Sequence, residues 1–243
     1  MRNIILLFIS VFLASCSGSK TLSRSLNKHK APLGYLYDSK MKECDKSIGI
    51  ILEDFDKQIL DSTTSVSKIN SKVLPFIIYN YSEENMAVKL GQSSLEQNYT
   101  EFFKESFMVE SQRSGCYSLS KTPDESLYSL EIVYDTCTIN SKYQRNSTVL
   151  FLFLAYSMSF QEIGFPAKTD LALHIKLKKA GHAIFEKQYS VDRLQPFMND
   201  QSLNVNALQS DFVVNMAESL SYCTKDCIEQ IIIDINGAIK KQE

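Results

Sequence analysis

The chain has 243 residues, of which 44% are hydrophobic and 22% are charged, and its formal net charge at pH 7 is −2. This composition is typical of a globular protein of one domain, and 8 Gly with 5 Pro exclude a collagen-like or low-complexity chain. A charge this close to zero gives no support for nucleic-acid binding, so no nucleic-acid partner is expected.

The first residues have the layout of a secretory signal. Arg2 gives a positive start, residues 4–13 are uncharged and apolar, and small residues precede Cys16. A helix needs about 20 apolar residues to cross a bilayer, so this run is too short for a membrane anchor. We predict that residues 1–15 are a signal peptide.

Leu13-Ala14-Ser15-Cys16 resembles the lipobox of bacterial lipoproteins, in which the cysteine becomes the lipidated first residue of the mature chain. The resemblance implies lipidation at Cys16 and attachment to a membrane through this lipid; a plain secretion signal is the alternative. Ser17 stands where an Asp would retain an enteric lipoprotein in the inner membrane. We therefore expect anchoring at the outer membrane, facing the periplasm.

Residues 16–44 are predicted to form the lipidated cysteine and a flexible basic tether. The stretch from Ser17 to Leu33 is polar and has no acidic residue; its cationic and imidazole side chains are Lys20, Arg24, Lys28, His29 and Lys30. These side chains can be solvated, and near anionic headgroups each cation would contribute about 1 kcal/mol. Residues 45–243 are predicted to form a single domain.

The cysteines predict disulfides, because an exported chain reaches an oxidising compartment. Lipid on Cys16 leaves an odd number: Cys44, Cys116, Cys137, Cys223 and Cys227. The candidate bridge joins Cys223 and Cys227, and it requires the helix to break at residues 224–226. A zinc site is the alternative, but it lacks a second pair of ligands, so no metal is expected.

The first half of the domain alternates short strands with a helix. The predicted elements are strands Lys46–Phe55, Val73–Tyr81 and Met86–Leu90, with a turn at Ser82–Asn85. A helix follows, with Ser93 and Ser94 as candidate N-caps and Gly115 as its end. Its aromatic stripe is predicted to be core packing rather than a ligand surface.

The pattern in the second half of the domain predicts an antiparallel sheet with one face buried and the other exposed. Residues 127–139 alternate in polarity, and residues 171–177 return through a turn at Gly181 as a hairpin that places His174 near Glu186. An amphipathic helix from about Leu208 follows, broken near Cys223. The predicted fold class is α+β, an antiparallel or mixed sheet with helices packed on one face.

The stretch Val149–Phe160 is the most apolar part of the mature chain. As a helix it would be about 18 Å long, too short to cross a hydrocarbon core of about 30 Å. Two interpretations stay open: the stretch is buried core, or it contacts a membrane or a partner protein. The second interpretation would use four aromatic residues: Phe151, Phe153, Tyr156 and Phe160.

The order of these elements resembles the YajG-type family of bacterial outer-membrane lipoproteins, over about two thirds of the chain. The segments that carry the resemblance are Val88–Leu90, Ser94–Gly115, Leu130–Ile132, Asp170–Tyr189 and Lys225–Ile228. The chain departs from the family in its basic tether, its cysteines and an insertion over residues 140–166. The resemblance implies a periplasm-facing α+β domain and offers no catalytic residues.

Searches of the sequence for phosphate loops, nucleophile elbows, zinc-protease motifs and calcium loops find none. We therefore predict no catalytic residue, no cofactor and a non-catalytic binding or assembly component of the envelope, with an envelope protein as a candidate partner. One alternative is an auxiliary lipoprotein subunit of a lipid or lipopolysaccharide transport system. A second alternative is an envelope hydrolase.

Overall fold

The computed structural model describes residues 18–37, 48–53, 59–75, 79–120, 128–152, 155–198 and 204–241. Within these ranges the helices are α1 (Gly18–Leu26), α2 (Tyr99–Ser114) and α3 (Val205–Lys240), with a short 3-10 turn at Gln92–Ser94. The strands are β1 (Gly49–Leu52), β2 (Ser65–Pro75), β3 (Tyr79–Lys89), β4 (Ser118–Ser120), β5 (Tyr128–Leu152), β6 (Ala155–Gly164), β7 (Ala167–Lys179) and β8 (His182–Gln195).

Strand β5 organises the sheet, because its 25 residues serve two sets of neighbours. Its first part pairs with β1 in parallel and with β7 antiparallel. From Asn140 onward it pairs with β3 on one side, and from Tyr143 with β6 on the other. We call β1, β4, β7, β8 and the first part of β5 the body, and β2, β3, β6 and residues 140–152 the arm.

One face of the sheet is packed against helices α2 and α3, which confirms the predicted α+β fold with a mixed sheet and helices on one face. The alternation predicted for β7 is present, since Leu171, Leu173, Ile175 and Leu177 are all buried. In β5 a bulge between Tyr134 and Thr136 shifts the alternation by one residue. For this reason Cys137 is buried, although unbroken alternation would have placed it on the opposite face.

The C-terminal helix is continuous over 36 residues, so the predicted break at residues 224–226 is wrong. Cys223 and Cys227 lie on its buried side as free thiols, and the predicted disulfide between them is not formed. An unbroken helix orients residues four apart poorly for a disulfide. The same stripe of buried residues runs from Phe212 to Ile239, and its burial stabilises the helix through this region.

The prediction of a flexible tether over residues 16–44 is wrong for residues 18–33. Helix α1 occupies part of this stretch, and its Leu22 and Leu26 are fully buried in the main core. After the helix, Ala31 forms a bridge with Leu95. Polar residues therefore cover only the outer side of α1, and the helix belongs to the folded domain.

Of the other local predictions, some are confirmed and others are wrong. The β7–β8 hairpin is confirmed, and His174 Nε2 lies 2.8 Å from Glu186 Oε1 across it. Helix α2 ends at Gly115 as predicted, but its N-cap is Asn98 rather than Ser93 or Ser94. The predicted turn at 82–85 is wrong, because these residues continue strand β3.

Candidate docking surface at the end of the arm

The arm projects from the body beyond the helices that cover the core. At its base, the ring of Tyr143 packs edge-on against Phe212 of α3, with centroids 5.0 Å apart, and Tyr143 is fully buried. Strand β5 continues for eight more residues to Phe151, which corresponds to roughly 26 Å of extended chain. The large side chains of β6 that pair with this part of β5 are exposed: Phe160 is 62%, Met158 is 51% and Tyr156 is 72% exposed.

A buried polar cluster fixes the arm to the body. Glu162 Oε1 accepts from Arg145 Nε over 2.7 Å, while Glu162 Oε2 accepts from the Tyr143 hydroxyl over 2.5 Å and from Gln209 Nε2 over 2.7 Å. Burial, and then the charge of Glu162, raises the pKa of the Tyr143 hydroxyl well above its ordinary value, so this hydroxyl stays protonated and donates. The donors on β5 and α3 therefore hold one carboxylate of β6 from two sides.

The cluster also reaches the first helix. Ser25 of α1 donates to Gln209 Oε1 over 2.6 Å, and Gln209 in turn donates to Glu162. Ser23 and Asn27 of the α1 segment bond to the backbone of Thr64, the residue before β2. Helix α1, the arm and helix α3 are thus joined at the arm's base.

Cross-strand register sorts the side chains of the arm onto two faces, because directly paired residues point to the same side of a sheet. Tyr143, which faces the helices, pairs with Gly164. Counting in steps of two from there, the pairs on the helix-bearing side are Arg145 with Glu162, Ser147 with Phe160, Val149 with Met158, and Phe151 with Tyr156. The side that carries the helices in the body therefore continues outward as an apolar surface.

We call this surface the apolar end. It comprises Val73, Val149, Phe151, Tyr156, Met158 and Phe160, with Val73 placed there through its pairing with Ser82 and the pairing of Ser82 with Ser147. Its exposed fractions are 41% for Val73, 44% for Phe151 and 51% for Met158. Exposed large apolar side chains that lie side by side mark an interaction surface, whereas single ones do not.

The opposite side of the arm is more polar. Its residues include Glu83, Asn146, Thr148, Ser159 and Gln161. Leu74 and Tyr79 also lie on this side near the hairpin ends, at 37% and 38% exposure. The arm therefore has one apolar and one mainly polar side until its last residues, where both sides are apolar.

Three of the four aromatic residues predicted to contact a membrane or partner, Phe151, Tyr156 and Phe160, lie together in the apolar end. Phe153 lies outside the described residues. The alternative interpretation of this stretch as buried core is wrong for these exposed side chains. Val73, Val149 and Met158 of the apolar end were not among the predicted contact residues; the two-residue alternation of Tyr156, Met158 and Phe160 could have identified Met158.

The lipidation residue Cys16 and the unassigned Cys44 also lie outside the described residues. Cys116 is disulfide-bonded, whereas Cys137, Cys223 and Cys227 are free. Burial raises the pKa of Cys137, Cys223 and Cys227 to about 12 in each case, so these thiols are protonated and unreactive at neutral pH.

Within the described ranges, no group of three or more His, Cys, Asp or Glu side chains could hold a metal ion. A cavity of about 260 Å³ opens near the start of α2 and is lined by Ile59, Leu60, Ser62, Gln92, Asn98, Tyr99 and Thr100. Of these residues, Tyr99 alone has a titratable side chain, and its hydroxyl is buried against Thr224.

None of the helices in the described ranges is long and apolar enough to span a membrane. No protein-family model and no curated protein matches this chain. Among solved structures, the chain is similar to protein XCC0632 from Xanthomonas campestris, of the DUF330 family, with 12% sequence identity and a TM-score of 0.42. The similarity covers 88% of this chain and 98% of that one.

Proposed function

We propose that this chain is a non-catalytic lipoprotein of the bacterial outer membrane, anchored by lipid on Cys16, that acts as a binding or assembly component and docks its arm into the bilayer. The observation that carries the proposal is the apolar end, whose side chains other than Val149 are exposed at the tip of a projecting arm. The lipobox and the resemblance to YajG-type lipoproteins support the anchor and the compartment.

The size of the apolar end fits one leaflet. From Phe160 to Tyr156 the strand rises about 13 Å, close to half of a hydrocarbon core of about 30 Å. The next pair toward the body on the same face is Arg145 with Glu162, an ion pair that is costly to move into hydrocarbon. Insertion would therefore stop at this pair, with the body outside the membrane.

Helix α1 follows the proposed anchor directly in the sequence. It begins at Gly18, two residues after Cys16 in the sequence, and it packs on β2. Leu26, at its C-terminal end, contacts Ser94 at the base of the arm, on the side away from the hairpin ends. Helix α1 therefore lies at the base of the arm, where Ser23 and Asn27 also bond to Thr64.

The anchor is tested with Cys16→Ala. Labelled fatty acid should be incorporated into the wild-type chain and not into the variant, and membrane fractionation should find the wild type in the outer membrane. Equal incorporation by both chains would rule out lipidation at Cys16.

Docking by the arm is tested separately, with unlipidated chains of residues 16–243 that carry Ala at position 16 and contain every described helix and strand. Replacing Tyr156 and Phe160 by Ser should abolish flotation with liposomes of anionic phospholipid without lowering the melting temperature, since both side chains are exposed. The matched control replaces Leu194 and Ile233, which are 67% and 62% exposed on the body, by Ser. Equal flotation of the unlipidated parent chain, the Tyr156 and Phe160 variant and the control variant would refute docking by the apolar end.

The two alternative functions give different results. An auxiliary subunit of a lipid or lipopolysaccharide transport system would co-purify with transporter proteins, and the Tyr156→Ser, Phe160→Ser chain would lose them if the apolar end contacts protein. An envelope hydrolase would turn over cell-wall or lipid substrates.

A further inference from the structure

The arm has two free edges. Within the described ranges β2 pairs only with β3, and β6 pairs only with β5. The two edge strands are similar in length, with 11 residues in β2 and 10 in β6. A row of unpaired backbone N–H and C=O groups on each edge is a template for another strand.

Strand β6 lacks the features that usually protect an edge. Its sequence, AYSMSFQEIG, contains no Lys and no Pro, and its single charged residue, Glu162, is held in the polar cluster at the base. Natural sheets usually protect such an edge with charges, prolines or bulges. Strand β6 is therefore free to pair along its outer part.

Docking makes these free edges costly. Lipid cannot hydrogen bond to backbone groups, so open sheet edges are not tolerated within the hydrocarbon region. The part of β6 that contains Tyr156, Met158 and Phe160 is the part that would enter lipid. A strand added at the level of β2 would satisfy the backbone groups of Ser159 and Phe160, where the part that enters lipid begins.

The directions of the edge strands identify the partner. Strand β2 runs from the base toward the hairpin ends and β6 runs back toward the base, as their antiparallel pairings require. Copies that dock in one membrane have their arms pointing the same way. In that arrangement β2 of one copy lies antiparallel to β6 of its neighbour, which continues the alternation already present in the arm.

We propose that a second copy of this chain is the partner of this edge: on the membrane, β2 of one copy pairs with β6 of the next, in a head-to-tail contact that rests on the proposed docking. Two β6 strands could also pair antiparallel, but the two arms would then point in opposite directions. Head-to-tail contacts repeat from copy to copy and close into a ring where the rotation permits.

Side-chain positions fit this contact. Val73 and Phe160 lie at the same level of one arm, through Ser82 and Ser147, so a level register places Val73 of one copy beside Phe160 of the next. The neighbouring position pairs Lys72 with Gln161, so no like charges meet. The apolar end would then continue from copy to copy.

The features of β2 confine the contact to the membrane. It carries Lys68 and Lys72, a bulge between Lys68 and Asn70, and Pro75 at its end. These features disfavour pairing in water and leave only the stretch between the bulge and Pro75 available. We therefore expect single copies in solution and pairing on lipid.

The test uses cysteine pairs in the unlipidated chain of residues 16–243 with Ala at position 16, bound to anionic liposomes and mildly oxidised. Val73→Cys mixed with Phe160→Cys should give a disulfide-linked dimer, which neither variant gives alone. A chain that carries both substitutions should give a ladder of oligomers. The parent chain measures the background from native thiols, of which Cys137, Cys223 and Cys227 are buried.

The matched control replaces Val133 of the body by Cys, since its exposure of 40% is close to the 41% of Val73. Mixed with Phe160→Cys, it should give no dimer. Dimers from Phe160→Cys alone would show pairing of two β6 strands and overturn the proposal, and so would the absence of dimers from every mixture. Flotation of the same samples judges docking separately, so failure of the edge contact is distinguished from failure of the proposed function.

Discussion

Arg145 and Glu162 form an ion pair of 2.7 Å across strands β5 and β6, at the level where the arm leaves the body. The side chain of Glu162 is only 5% exposed and that of Arg145 is 24% exposed. Because Glu162 also accepts from Tyr143 and Gln209, one carboxylate connects the arm, the helix layer and, through Gln209 and Ser25, the first helix. Glu162 therefore links the arm to the helix layer at the base of the arm.

Glu162→Gln should lower the free energy of unfolding by about 2–3 kcal/mol, since it leaves a half-buried guanidinium without its counter-charge. Urea denaturation of the unlipidated chain measures the effect. The matched control is Glu84→Gln, which removes the ion pair of Glu84 with Lys68 in the same part of the arm. This pair is more exposed, so the loss in the free energy of unfolding should be less than about 1 kcal/mol. Equal losses in the two variants would show that the Glu162 cluster is no stronger than a surface pair.

Leu22→Ala should destabilise the chain by about 2–4 kcal/mol, because it removes a fully buried side chain from the core. Lys20→Ala, on the exposed side of the same helix, should change stability little. Thermal and urea unfolding of both variants provide the comparison. A Leu22→Ala chain as stable as the wild type would mean that α1 is a dispensable tether.

Cys137, Cys223 and Cys227 should resist thiol reagents in the folded chain at pH 8, because burial raises the pKa of each to about 12 and blocks access. Mass spectrometry after alkylation should find these three residues unmodified in native buffer and fully modified in 8 M urea (about the concentration that unfolds small domains). Rapid native labelling of Cys223 or Cys227 would contradict the burial of that side of α3.

Asp234 should stabilise the fold in a pH-dependent way. Burial alone would raise its pKa, but hydrogen bonds from Lys187 and Tyr189, over 2.6 and 2.8 Å, outweigh burial and lower the pKa below its ordinary value. A lowered pKa in the folded state gives stability that is present above the unfolded-state pKa of about 3.9 and is lost as the pH falls through the folded-state pKa.

Asp234→Asn should therefore reduce the free energy of unfolding by about 1–2 kcal/mol at pH 7. The difference from wild type should shrink as the pH falls below about 4. Urea unfolding at pH 7 and at acidic pH measures both values. Asp135→Asn, which removes an exposed carboxylate bonded to Gln188, is the control and should show little difference at either pH. A constant difference at all pH values would exclude the carboxylate charge as the cause.

The sequence determined the parts of this fold that local patterns encode. Alternation between Leu171 and Leu177, with a turn at Gly181, predicts the β7–β8 hairpin and the contact of His174 with Glu186. Gly115 marks the end of α2, and the run of aromatic residues before it predicts a buried helix face. These features depend on residues that are close together in the chain, so they can be predicted from the sequence.

Two predictions are wrong because local composition conflicts with tertiary burial. Thr224-Lys225-Asp226 predicts a break, but the apolar spacing from Phe212 through Cys223 and Cys227 to Ile231 continues at helical period across it. The many cations of residues 17–33 hid Leu22 and Leu26, which lie four residues apart on one face of α1. In both cases tertiary burial outweighed local composition, because a packed helix face contributes more than polar residues on the other side remove.

The position of the apolar stretch Val149–Phe160 depends on contacts between distant parts of the chain. Its composition fits a buried strand as well as an exposed surface, because the choice depends on what covers it. The β2–β3 hairpin, some 70 residues earlier in the chain, pairs with the outer part of β5 and carries the stretch past the last residues of the helix layer. Long-range strand pairing has no local sequence signal, since backbone hydrogen bonds are the same for every residue pair. The sequence thus set the apolar character of Phe151, Tyr156 and Phe160, and the pairing of distant strands exposed them.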